Sequence, residues 1–498
     1  MPAIITNKFR LNNAEQFSES FSEAANEVYY LGIGRPQPFG TLTRPDGRTD
    51  YEGTDALPNT PADSISREFY TYDDLVAAKR ITGSNVSFVI PRRNWTAGTI
   101  YDIYRHDYGE YTTGSTSVRK TSNSGATTLF DSNFYVLSSA RNVYKCLDNN
   151  GGATSTDEPT GVSTSVITTT DSYKWKFMYT LSAAQQANFL STDFMAVSPN
   201  SNPSSDQSNV ISAAVDGSID IVKIKTPGSG GNNGTFTNIP IRGDGSGGLA
   251  TVVVGGGQVT SVTVTTPGTG YTFATISNAQ IVAAGATNLA GSELDVIIPP
   301  KGGHGANAQE ELGAFFVMMN TSLEGTESAN SGDFSAVNDF RKIALFRNPT
   351  KSNAAVTNNT ARLTKAIKIA DSPTPGTFTP DEEINQATTG AVGKVVEWDA
   401  TNKILYYIQT RHNDAGVDAN GNLTAFSGAN VITGQGGSSP TGTPDTSSTG
   451  TVNNVSFTSG YSVPEIDHDT GDVLYIENRT PIQRAPDQTE NIKLVIEF

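Results

Sequence analysis

The stretch YKWKFMYT (173–180) alternates without a break, with Tyr173, Trp175, Phe177 and Tyr179 on one side and Lys174, Lys176 and Met178 on the other. A period of two predicts a β-strand with one buried aromatic face. The C-terminal NIKLVIEF repeats the pattern with Ile492, Leu494, Ile496 and Phe498. A strand that ends a chain is expected to be paired, since an unpaired one would fray. Further strands are expected at 86–90, 100–104, 134–137, 315–319 and 342–346.

Helical spacing is confined to short pieces. Phe17, Phe21, Ala24, Ala25 and Val28 fall on one face of a first helix, with Asn13 and Gln16 as its expected N-terminal cap. The glycines and prolines from Gly32 to Pro38 stop it. A second short helix is expected from Thr71, with Asp74 in its first turn and Leu75 and Ala78 on its apolar face. A third is expected over 182–190, with Ser182 and Gln185 forming a capping box. Short helices bracing β-structure are the simplest reading of all three.

Beyond residue 198 the composition changes. SPNSNPSSDQSN reads as a linker, and the glycine-rich block after it repeats internally. DGSIDIVKIKTPGSG and GGQVTSVTVTTPGTG align so that Ile219 falls on Val259, Val222 on Val262, Ile224 on Val264 and Pro227-Gly228 on Pro267-Gly268. Each copy is a glycine turn, a β-branched strand and a Thr-Pro-Gly turn, a hairpin-sized unit that must pair or stack to bury its single apolar face. A second shift at Ser372 opens another strand-rich stretch. It contains Val395, Val396, Trp398 and the run from Ile404 to Ile408, with a tight turn at Asp399-Ala400-Thr401-Asn402. The Ser/Thr/Gly/Pro-rich segment from Gly434 to Gly450 reads as a return linker.

The expected architecture is therefore mainly β with a few short α-helices, multidomain, with a β-sandwich-like core and two inserted small β-domains. The core spans 1–200, continued by 299–370 and 453–498. The insertions are 205–298, which carries the repeat, and 371–452, a small barrel or sandwich.

Hydrophobic residues make up 36% of the 498 and charged residues 17%. Both are low beside compact enzymes, which run at about 45–50% apolar and about 25% charged. The net charge of −16, with no run of Lys and Arg, speaks against a nucleic-acid partner. No apolar run approaches the roughly 20 residues that cross a bilayer, and MPAIITNKFRLNN lacks the apolar core of a secretory signal. The one cysteine, Cys146, permits neither an internal disulfide nor a cysteine-built zinc site. Synthesis in a reducing cytoplasm, without membrane insertion, is the expectation.

The strings that look like chemistry fail one by one. PPKGGHGANAQEELG (299–313) places Lys301 before its glycines, and the GK[ST] of a phosphate-binding loop is missing. His304 lacks metal-ligand spacing, so a glycine turn feeding a helix is the plain reading. His106 and Asp107 could be half of a triad, but adjacent strand residues face opposite ways and no GxSxG supplies a nucleophile. The pairs Asp157-Glu158, Glu310-Glu311 and Asp381-Glu382-Glu383 read as solvated loops rather than carboxylates across a cleft. Asp467, His468, Asp469 and Asp472 only loosely resemble a calcium loop. Cys146 reads as a small buried apolar residue. No residue is expected to be catalytic, to bind a cofactor or to hold a metal.

Several strings are familiar jointly. ITNKFRLNNAEQFSESF followed by YYLGIGRPQPF, then FVIPRRNWTAGTIYDIY, NVYKCLDNNGGATSTDEPTG, YKWKFMYTLS, PPKGGHGANAQEELG, NDFRKIALFRNP and GDVLYIENRTPIQRAPDQTENIKLVIEF occur in the order of one family. They resemble the baseplate wedge protein, the gene-eight product family, of T-even-like contractile-tailed bacteriophages. The glycine-rich repeat block and 371–452 depart from the shorter family pattern and look like additions. The resemblance implies a non-enzymatic structural subunit of the virion, placed in the tail baseplate and assembled in the host cytoplasm. It implies a homodimer that joins other baseplate wedge subunits, with no cofactor and no small-molecule substrate, and it makes PKGGHG part of the fold. Such a dimer is expected to bury upwards of about 1,500 Å². The aromatics of RPQPF and RNWTAGTIYDIY are candidate anchors, most of them expected in their own core. The alternative is a receptor- or glycan-binding tail module carried by the two insertions.

Overall fold

A computed structural model describes residues 4–23, 27–35, 63, 65–109, 122–324, 340–409, 416–482 and 489–498. The chain is mainly β, with several sheets and a few short helices. It forms two compact units, one made of 1–16, 87–318 and 495–498, the other of 17–86 and 319–494. The segment 205–298 lies within the first unit and 371–452 within the second.

The first unit is built around an antiparallel sheet ordered Tyr135–Leu137, Asn142–Asp148, Lys174–Thr180, Ile167–Thr168. The opening alternation correctly marks its strand, but both faces are buried rather than one. Tyr173, Trp175 and Phe177 join Tyr101, Tyr144 and Cys146 in one apolar cluster, whereas Met178 and Tyr179 join Val143, Leu147 and Phe189 in another. The register skips a residue where Val143 pairs with Tyr179 and Tyr144 with Phe177, so a bulge at Met178 redirects Tyr179. Lys176 remains on the opposite face from Trp175, 6% exposed, directly across from Lys145.

Local signals succeed where the partners are local. The helix Ala183–Phe189 starts on a capping box between Ser182 and Gln185, as the spacing predicts. The first helix begins earlier than expected, at Asn7, and ends at Ser20. Its cap is Thr6, whose hydroxyl accepts the Phe9 N–H at 3.3 Å. The expected cap at Asn13 lies mid-helix. Ala24 and Ala25 lie outside the described residues. The expected strand at 100–104 is an extended segment bound irregularly, Asp102 N to Asn133 O at 3.1 Å and Tyr104 N to Cys146 O at 2.8 Å. The expected linker after residue 198 folds in part into the helix Ser205–Ala213, capped by the Ser204 hydroxyl.

The repeat is real as structure. The first copy forms the strand Ile221–Ser229, paired with Ala290–Ile297. The second forms Gln258–Thr266, paired with Leu249–Gly255. Ile219 and Val259 are buried in one cluster, with Val222 and Val262 beside them. Gly217 and Gly257, Gly228 and Gly268, and Gly230 and Gly270 match pair by pair, all with φ between 65° and 78°. The start of the first copy bonds the end of the second, through Ile219 N to Pro267 O and Gly270 N to Asp216 O.

In the second unit a five-stranded sheet runs Thr360–Arg362, Leu75–Ile81, Tyr29–Gly34, Phe340–Arg347, Asp472–Ile482. The expected second helix is overturned here. The helix is Ile65–Thr71, a single 3-10 turn covers Tyr72–Asp74, and LVAAKRI is a strand. Pairing on both sides, to Tyr29–Gly34 and Thr360–Arg362, overrides the helix preference of Leu75, Ala77 and Ala78. A seven-stranded sheet, ordered Thr441–Gly442, Ile432–Gly434, Glu383–Gln386, Ala391–Asp399, Ile404–Ile408, Lys365–Lys368, Tyr461–Ser462, takes up 371–452 and a strand on either side of it. Its expected tight turn is present, with Asp399 Oδ1 accepting the Thr401 and Asn402 N–H groups. The expected return linker contributes the strands Thr441–Gly442 and Gly450–Val452.

The C-terminus is held. The Phe498 N–H donates to Phe315 O at 3.0 Å, and the Arg10 guanidinium donates to Phe498 O while lying over the Phe315 ring.

Candidate functional site

The glycine loop 301–305 is the best place to look for chemistry, and its backbone explains its composition. Gly302, Gly303 and Gly305 have φ of 87°, 93° and 96°, a region L side chains rarely adopt. A Cβ on Gly303 would sit 2.3 Å from Val215 O, and one on Gly305 2.4 Å from Val210 Cγ1 and 3.1 Å from Lys176 Cε. Glycine is required at both places by conformation and by space. The loop runs into the helix Ala308–Leu312, capped by the Asn307 side chain, which accepts from Gln309 N and Glu310 N. The helix ends at Gly313 in the left-handed conformation.

Lys301 is exposed, but His304 is turned inward and 5% exposed. It stands edge-on to Tyr104, ring centroids 4.9 Å apart. Glu311, 3% exposed, comes from the helix behind it. One carboxylate oxygen, Oε1, accepts the N–H groups of Gly305 at 2.8 Å and Asn307 at 3.1 Å. The other, Oε2, is bound by the Lys145 ammonium, on a side chain with no exposed surface. His304 Nδ1 lies 4.0 Å from the same oxygen and has no hydrogen-bond partner among the described residues. Lys145 Nζ also lies 4.9 Å from the centre of the Tyr104 ring.

The electrostatics follow from this packing. Burial lowers the pKa of Lys145, with Glu311 opposing the shift. Burial, then the positive charges of Lys145 and Lys176, push His304 well below the usual histidine range, so its ring is neutral. Lys176 is lowered by burial too, and its Nζ donates to Thr164 O at 2.5 Å. Burial raises Asp220, against the pull of Lys176 and Lys145. Two lysines opposite each other on adjacent strands would repel. Glu311 and Asp220 supply the compensating charge.

This cluster ties a loop, a helix and a sheet together, with its side chains buried. His304 and Glu311 are 3% and 1% exposed at the side chain, out of a substrate's reach. Sequence reading found His304 and Glu311 as separate curiosities and missed Lys145 altogether. A lysine among the apolar residues of NVYKCLD demands a partner, but nothing local says which one.

The other candidates are also occupied by structure. His106 is exposed and accepts the Ile298 N–H at Nδ1, 3.2 Å. Asp107 is buried and takes a two-point contact from Arg105 at 2.8 and 3.0 Å, with Arg105 also reaching Asp295 at 2.6 Å. Asp157 binds Thr170 and Glu158 binds Ser139, each through backbone N–H and hydroxyl. Asp381 pairs with Arg35, and Glu382 accepts from Thr379 N and Gly436 N. In the string that resembles a calcium loop the acids diverge. Asp467 goes to Lys351, Asp472 to Arg347, and His468 lies between Asp73 at 2.7 Å and Asp469 at 2.6 Å. Among the described residues no group of three or more His, Cys, Asp or Glu could hold a metal ion. Cys146 is fully buried and burial pushes its thiol well up, the opposite of an activated nucleophile.

Of the candidate anchors, Phe39 lies outside the described residues. Tyr101, Ile103 and Tyr104 are buried in their own unit, and Trp95 is half-buried, its indole N–H on Ser155 Oγ at 3.1 Å. No helix among the described residues is long and apolar enough to cross a membrane. No protein-family model matches this chain, and no curated protein matches it significantly.

Proposed function

We propose that this chain is a structural subunit of a contractile-tail baseplate wedge, acting as a homodimer that binds other wedge subunits. The reading is carried by eight sequence strings that resemble one family, in the family's order, from ITNKFRLNNAEQFSESF to the C-terminus. The use of the polar residues supports it. Glu311, Asp107, Asp157, Glu158 and Glu382 each hold backbone or a partner charge, and burial keeps the Cys146 thiol in its unreactive form. A part that works by shape needs such joints. The net charge of −16 limits association beyond the dimer until a complementary surface arrives.

The glycan-binding alternative would need an exposed aromatic groove on 205–298 or 371–452. Among the described residues there, the exposed large hydrophobics are Val215, Phe273 and Val431, a single aromatic among them. That favours the wedge reading. Light scattering on the purified chain separates the two. A mass twice that of the 52.7 kDa chain, with no binding across a glycan array, is the expected result. A monomer that retains a glycan would overturn the reading.

A further inference from the structure

We propose that Lys145 and Glu311 condense into an intramolecular amide, a covalent brace between the strand Asn142–Asp148 and the helix Ala308–Leu312. The cluster brings the reacting groups together. Nucleophile and carboxyl are in contact, on side chains 0% and 1% exposed. Holding two such groups together removes the entropic cost of a bimolecular encounter and is worth an effective molarity on the order of 10⁵ M or more. Glu311 Oε1 sits between two backbone donors, Gly305 N at 2.8 Å and Asn307 N at 3.1 Å. Two N–H groups hold this oxygen of the ground-state carboxylate, and donors so placed remain within reach of the same oxygen as charge collects on it during attack. The other oxygen, Oε2, faces Lys145 Nζ and lies 4.0 Å from His304 Nδ1, a buried imidazole nitrogen without another partner.

In water a carboxylate and an ammonium do not condense, because the amine has no free lone pair. Burial weakens that protection, since a charge out of water tends to neutralise. Lys176 stands directly opposite on the neighbouring strand as a like charge, whereas Glu311 and then Asp220 act in the other direction and favour the ammonium.

The step balances without a co-reactant. The ammonium passes one proton to Oε2, giving an amine and a carboxylic acid. The Nζ lone pair attacks Cδ, and the negative charge collects on Oε1 between the two N–H groups. His304 Nδ1 takes a proton from Nζ and returns it to the departing Oε2 hydroxyl. The C–O bond breaks, an amide remains, and one water leaves. The amide carbonyl keeps Oε1 and both of its hydrogen bonds. With water excluded from the site, hydrolysis does not reverse the step. The brace links residues 166 positions apart, enclosing the whole repeat block, and acts on the unfolded chain as a cross-link does. It holds whether or not the chain belongs to a baseplate.

The test is the intact mass of the full chain under denaturing conditions, followed by proteolytic mapping. The expected mass is lower than the sequence mass by one water, with a branched peptide joining the Lys145 segment to the Glu311 segment. Lys145→Met is expected at its full mass with no branched peptide. Wild-type protein at full sequence mass, or a water loss that maps elsewhere, overturns the proposal and leaves an ion pair. His304→Phe, of similar size and with no proton to carry, is expected to accumulate the branched peptide more slowly. An unchanged rate would remove His304 from the step.

Discussion

Buried charges do much of the joining in this protein, and several are held as close ion pairs. Lys342, on an interior strand of the five-stranded sheet and 6% exposed, places its ammonium 2.6 and 2.8 Å from the two oxygens of Asp74. Removing one partner strands the other in a dry place, a loss of about 3–5 kcal/mol. We expect Lys342→Met to lower stability by that amount in urea unfolding. His468 makes a pH-dependent joint. Burial opposes its charged form, but hydrogen bonds and charge from Asp73 and Asp469 outweigh burial and raise its pKa. A pKa raised on folding contributes stability that is complete below the unfolded value and is lost as pH rises through the folded one. The neighbours that set it are Asp73 and Asp469; the Tyr72 ring lies 5.7 Å away, and Asp74 and Asp467, next in sequence to Asp73 and His468, are paired with Lys342 and Lys351. We expect the stability gap between wild type and His468→Ala to be widest below the ordinary histidine pKa. It should close as pH rises above it, as thermal unfolding across pH would show. A gap independent of pH would contradict the charged bridge.

At the scale of elements, what was legible in the sequence depended on where the partners lie. The capping box at Ser182 and Gln185, the Asp399 turn and the Gly-Gly turn of the second repeat are complete within a few residues, so the sequence pattern specifies them. Leu75–Ile81 reads as a helix because its strand partners are Tyr29–Gly34 and Thr360–Arg362, and no local pattern announces a neighbour so remote. The alternation puts Tyr179 on the face of Trp175, and the structure does not, because a bulge is a property of two strands, not one. The candidate site divides in the same way. The glycines of 302–305 were visible as a turn, whereas the pairing of Glu311 with Lys145 was not. The repeat offers a direct comparison. Gly256 and Gly268 both have positive φ, at 60° and 69°. A Cβ on Gly256 meets nothing within 4 Å, while one on Gly268 would lie 2.6 Å from both Gly248 N and Ser246 O. We expect Gly256→Ala to cost about 1 kcal/mol of backbone strain alone. Gly268→Ala should cost clearly more, read as a larger drop in unfolding midpoint. Equal costs would mean that the close approach at the second Thr-Pro-Gly turn is not tight.

For the whole molecule, the chain forms two compact units, each with its own apolar clusters, and among the described residues the candidates for chemistry serve as ties. The strongly acidic surface and the glycine-shaped loops suit a subunit that is assembled into something larger. That claim is tested most directly by a cryo-EM map of an intact contractile tail containing this chain. Paired copies in the baseplate, in contact with other wedge subunits, are the expected result. A tail that lacks this chain, or one that carries it as single copies away from the baseplate, would contradict it.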